Sequence, residues 1–185
     1  MKTLSYFFVM AVILIAGCVT DDAMFENPDN LELKKAKVPI PFKADMYAIP
    51  DLESDVLCFE IPGNPDHCFL SKLYISGTAT HVGKIDAEKS FYQFESAKFI
   101  IYNEMPYVEA SGFGKLIGAN GDGIEFTFWS KQSLIDGNYF GGSEIIPGSG
   151  TGKFKGCTGS FETSGAVDWE GDGVWNKAEG FLVFE

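Results

Sequence analysis

In the stretch GIEFTFWSK, Ile124, Phe126 and Phe128 fall on one side of an extended chain, and Glu125 and Thr127 fall on the other. An apolar side chain at every second residue suits a strand with one face on a core, and it does not match the helical repeat. From Pro41 onward the chain repeats this kind of segment, among them FKADMYAIP, ESAKFIIYNE and YVEASGFGKLIG, with Gly, Asn, Asp and Pro between them. No segment of helical length there carries an i, i+3, i+4 stripe. About eight or nine short strands with Gly-rich turns predict an all-β domain, either an antiparallel sandwich or a closed barrel. Closure removes the edges that invite aggregation, so a single antiparallel β-barrel of about eight strands is the expectation. The 21 glycines and 17 phenylalanines fit that picture, the small residues bending the wall and the rings filling the middle. Gly77, Gly112, Gly114 and Gly165 lie inside strand-like segments and suit bulges or barrel corners.

The first residues obey different rules. Lys2 precedes an uncharged apolar run, Phe7 to Ile15, and Ala16-Gly17 lead directly to Cys18. A secretory signal has this plan, and the run is short for a membrane span. Ile15-Ala16-Gly17-Cys18 resembles the lipobox of bacterial lipoproteins, which implies cleavage before Cys18 and acylation of its thiol and new amine. Two or three acyl chains anchor durably where one does not. Val19 follows the cysteine in place of the aspartate that resembles an inner-membrane retention signal, so the outer membrane of a Gram-negative envelope is the expected address. Residues 18–40, with acids, Pro28, Pro39 and Pro41 around them, read as a tether. The domains expected are therefore a signal peptide over 1–17, a lipidated cysteine and tether over 18–40, and a barrel over 41–185. The chain is long enough for one sizeable core and too short to argue for two.

A net charge of −12 and the absence of arginine speak against nucleic acid and against bidentate capture of phosphate. Cys58 and Cys68 bracket FEIPGNPDH, a loop full of turn residues. A bridge across it would contribute roughly 2.5–3 kcal/mol on the loop-entropy account, and an envelope location would preserve it. The alternative is two reduced, separately packed thiols. Cys157 is then left over as a small apolar residue.

ISGTATHVGK (Ile75–Lys84), GANGDGI (Gly118–Ile124) and GSGTGKFKGCTGSF (Gly148–Phe161) resemble a group of bacterial secreted barrel proteins, which in turn resemble the allene oxide cyclase and dirigent barrels. The resemblance covers roughly Pro41 to Glu185 and implies the barrel. It carries no active-site residue onto this chain.

Several motifs invite chemistry. GSGTGKFKG is not a phosphate loop, because Pro147 stands where the leading glycine belongs and Phe154 where the hydroxyl belongs. Asp168, Glu170, Asp172 and Glu179 have the spacing of a calcium loop, but Glu170 is a methylene too long, and strand-like segments flank the stretch where that loop needs helices. A hairpin turn at EGDG accounts for the same residues. His81 could act as a base or ligand; a hydrogen-bonded structural histidine is the plainer reading. Glu95, Glu104, Glu109 and Glu125 are possible inward carboxylates. The leading functional expectation is a lipid-anchored, non-enzymatic barrel binding a small apolar ligand or a partner, with Trp129, Tyr139, Trp169 and Trp175 lining the site and no cofactor. Core packing is the alternative role for those rings. The competing readings are an isomerase or cyclase using His81 or a lumen carboxylate, and a calcium-binding or structural surface lipoprotein.

Overall fold

A computed structural model of the protein describes residues 38–168 and 172–184. The signal segment, Cys18 and most of the expected tether lie outside the described residues, as do Trp169 and Glu170. The described chain is strand throughout, apart from turns and one short 3-10 turn at Gly152–Phe154. The strands are β1 (Pro39–Pro50), β2 (Val56–Ile61), β3 (Asn64–Leu70), β4 (Lys72–Ala79), β5 (Gly83–Lys84) and β6 (Phe91–Tyr102). They continue as β7 (Met105–Ile117), β8 (Gly123–Ser133), β9 (Asn138–Ile145), β10 (Thr158–Asp168) and β11 (Gly173–Val183).

Neighbouring strands pair antiparallel in the order β1-β11-β10-β9-β8-β7-β6-β4, and β1 also pairs with β4. The large sheet therefore runs round on itself, with β5 added beside β4. Closing the last pair depends on Gly77. It sits opposite Met46 with φ at +125°, and a Cβ there would run into the Asp45 carbonyl. Positive φ and the missing side chain let β4 come close to β1.

Alternation decides what fills the interior. On β8, Ile124, Phe126 and Phe128 are buried while Thr127 and Trp129 are exposed. Opposite Phe126 and Phe128, β7 carries Gly114 and Gly112, and a Cβ on Gly114 would collide with the Phe126 ring. Large against small is how a narrow interior reaches close packing. Phe42, Phe126, Phe154, Leu116 and Leu182 are fully buried and plug the end of the strand ring where the chain enters at Pro39. Burying each such side chain stabilises the fold by roughly 1.5–3 kcal/mol.

At the other end the chain leaves β1 at Pro50, forms the β2–β3 hairpin and returns as β4. That hairpin is a separate two-stranded sheet, and a disulfide joins Cys58 to Cys68 directly across it, Cα to Cα 4.1 Å. Its base is fastened by the Asp51–Lys72 ion pair at 3.3 Å and by the Phe94 amide donating to the Ser71 carbonyl at 2.7 Å.

Candidate functional site

The end of the strand ring opposite the plug is hollow. A cavity of about 610 Å³ opens there, walled by β1, β4 and β6 to β11 and flanked by Phe59, Cys68 and Phe69 of the disulfide hairpin. Its volume falls in the range of about 300–1,000 Å³ usual for small-molecule sites. A chain of tilted and edge-on aromatic contacts runs from hairpin to plug. Phe59 meets Phe69, Phe69 meets Phe94 at 5.2 Å, and Phe94 meets Phe128, also at 5.2 Å. Tyr92 then touches Phe128 and Phe126, and Phe126 leads to Phe161 and Phe42. Edge-to-face geometry fixes ring orientation, so the wall is preorganised.

Polar side chains interrupt this wall, among them Ser130, Gln132, Thr163 and His67. Asn176 Nδ2 donates to the Tyr92 hydroxyl at 2.6 Å. Asn176 Oδ1 and Ser143 Oγ are buried in the structure without a hydrogen-bond partner, and both residues line the cavity. Burial pushes the Tyr92 and Tyr139 hydroxyls well above the ordinary tyrosine value, so both stay protonated. At the rim, Tyr47 donates to Asp168 at 3.0 Å, and burial, then that bond, raises the Tyr47 hydroxyl as well. The site therefore offers apolar walls, neutral hydroxyls, the amides of Gln132 and Asn176, His67 of the hairpin, and acids at Asp168 and Asp172. It can enclose an apolar body and read a polar end.

No family model, curated protein or solved structure matches this chain. The site's own geometry thus carries the functional argument.

Of the residues singled out in the sequence, Tyr139 lines the cavity. Trp129 and Trp175 do not: they stand on the outer wall, 47% and 59% exposed. Strand alternation is the reason, since Phe128 and Ser130 point inward on either side of Trp129, and Val174 and Asn176 on either side of Trp175. Trp129 instead covers Gly142 on the outside, beside an open groove of about 730 Å³ with Glu162 and Glu179 along it.

His81 is placed away from the cavity as well. It occupies an exposed turn after β4 with φ at +66°, on the plugged side, and its Nε2 lies 3.1 Å from the Pro41 carbonyl oxygen. A carbonyl only accepts, so Nε2 carries the proton and the ring serves the turn. The glutamates are on the outside too. Glu109 pairs with Lys98 at 2.7 Å and Lys131 at 3.6 Å, which hold its carboxyl below the usual range, and Glu125 pairs with Lys115 at 2.9 Å. Glu95 and Glu104 are exposed. The structure does not bring His81 and these carboxylates together.

The calcium spacing resolves into the β10–β11 hairpin, with Asp168 opposite Gly173. Glu179 lies six residues farther along β11, opposite Glu162 and paired with Lys43 at 3.2 Å. At about 3.3 Å per residue it stands roughly 20 Å from the turn. Asp168 and Glu179 are not gathered round one point.

Tyr92, Ser143 and Asn176 were not singled out in the sequence. The signal for Asn176 was present: it interrupts the inward row Val174, Ala178, Leu182 of β11, and a polar residue on an apolar strand face asks for a partner.

Proposed function

We propose that this chain is a lipid-anchored protein of a bacterial cell envelope whose barrel holds a small apolar ligand without transforming it. The observation that carries the reading is the cavity itself. Around 610 Å³ of aromatic-walled space is kept open at one end of a strand ring whose other end is packed solid. A domain of this size gains from filling its interior, and an apolar space left open forfeits contacts. An apolar occupant would restore them. The cyclic order of strand pairing supports the barrel, and with it the likeness to allene oxide cyclase and dirigent barrels as an architecture. The Ala-Gly-Cys arrangement ending at Cys18 supports lipid attachment, and Val19 after it supports an outer-membrane address. The acidic balance supports a partner other than nucleic acid.

The ligand reading is tested with Nile red, a neutral apolar dye that brightens on leaving water. The protein should take it up saturably, one dye per chain. Ala110→Leu, which fills the cavity from β7, should abolish uptake while the β circular dichroism persists. Dye uptake unaffected by Ala110→Leu, or none at all, sinks the reading. The anchor is tested separately, by palmitate labelling that disappears in Cys18→Ala.

A further inference from the structure

The cavity divides by chemistry. Residues such as Leu73, Phe94, Val108, Phe128 and Val174 offer only apolar contact, while Ser130, Gln132 and Thr163 add polar side chains. Two polar atoms of the lining residues, Asn176 Oδ1 and Ser143 Oγ, on residues 6% and 4% exposed, are buried with no hydrogen-bond partner in the structure. Folded interiors leave few buried polar groups unsatisfied, because a stranded acceptor loses its water and gains nothing.

Asn176 has little freedom to repair this by moving. Its Nδ2 is committed to the Tyr92 hydroxyl at 2.6 Å, and Tyr92 is itself wedged edge-on against Phe126 and Phe128. Nδ2 keeps a second hydrogen, but Oδ1 is the atom of Asn176 without a partner, and an amide oxygen only accepts. Whatever satisfies Oδ1 must bring a hydrogen-bond donor. Ser143 Oγ can accept or donate, so it sets no such requirement.

Charge narrows the choice. The sequence contains no arginine, the described lining contains no lysine, and its histidine, His67, stands on the disulfide hairpin. The described lining does contain Asp168 and Asp172. A carboxylate would set its lone pairs against an acceptor, with acids at the rim and neither arginine nor lysine in the described lining to offset its lost hydration. A neutral hydroxyl meets none of these penalties.

From this arrangement we infer that the cavity takes an apolar molecule bearing a neutral hydroxyl, which donates to Asn176 Oδ1, and that it rejects the corresponding carboxylate. The inference rests on the cavity being a ligand site and specifies what that site reads.

The experiment uses the full chain carrying Cys18→Ala, purified without detergent, and displaces Nile red with four compounds on related aromatic frames. These are thymol, thymol methyl ether, p-cymene and cuminate. Thymol can donate, the ether can only accept, p-cymene does neither, and cuminate is an anion. Thymol should displace the dye at concentrations roughly tenfold lower than each of the others, the gain of one good buried hydrogen bond. Asn176→Leu should erase most of that advantage and leave p-cymene unchanged. The ether comparison on the unaltered pocket decides the matter even if Asn176→Leu does not fold. Equal displacement by thymol, ether and p-cymene overturns the hydroxyl inference and leaves a purely apolar site standing; a preference for cuminate overturns it too. Failure of the dye itself to bind overturns both readings.

Discussion

Tyr92 on β6 and Asn176 on β11 meet inside the strand ring, the amide of one donating to the hydroxyl of the other at 2.6 Å. These strands are not neighbours in the sheet, so the bond bridges the interior and not a ladder. It lies where the solid plug gives way to the cavity. Tyr92→Phe removes the acceptor and strands a buried amide hydrogen. We expect a loss of about 1–3 kcal/mol in urea unfolding; an unchanged midpoint would mean the contact carries no stability.

The same tyrosine sets an alkaline limit. Burial raises the Tyr92 and Tyr139 hydroxyls in the folded protein, whereas the unfolded chain releases those protons near pH 10. Above that pH the unfolded state binds fewer protons, so stability is whole below about pH 10 and falls as pH rises. The slope should approach about 1.4 kcal/mol per pH unit for each tyrosine still protonated in the fold. Urea titrations across this range should show a shallower decline in Tyr92→Phe. Parallel slopes for the two proteins would refute the assignment.

The Cys58–Cys68 disulfide braces a hairpin that hydrogen-bonds as its own two-stranded sheet. Its removal by paired alanine substitution should act locally. A loss of about 3 kcal/mol from loop entropy should speed amide exchange in β2 and β3 by about a hundredfold. Amides of β7, β8 and β10 should keep their protection. Equal loss across every strand would show that the hairpin is part of the global folding unit.

Gly77 governs closure of the sheet. Gly77→Ala forces a side chain into φ +125° and into the Asp45 carbonyl. The strain alone should lower stability by about 1–3 kcal/mol, and the β1–β4 amides should lose protection first in hydrogen exchange. A variant as stable as the parent would mean that the β1–β4 pairing does not depend on this glycine.

The alternation of Ile124, Phe126 and Phe128 with Glu125 and Thr127 determined, from the sequence alone, that the chain would be strand and which faces would turn inward. Local geometry suffices for that, because side-chain direction follows from position along the strand. The turn chemistry of EGDG likewise pointed to a hairpin over Asp168–Glu179. Which inward positions would meet was a different matter. Tyr92 and Asn176 are 84 residues apart, and only the order in which strands pair around the ring brings them to one bond. The placement of Trp129 and Trp175 shows the limit from the other side: their size suggested a lining role, while register put them outdoors. Register and closure depend on every strand at once, so the cavity and its two open polar atoms belong to the tertiary structure.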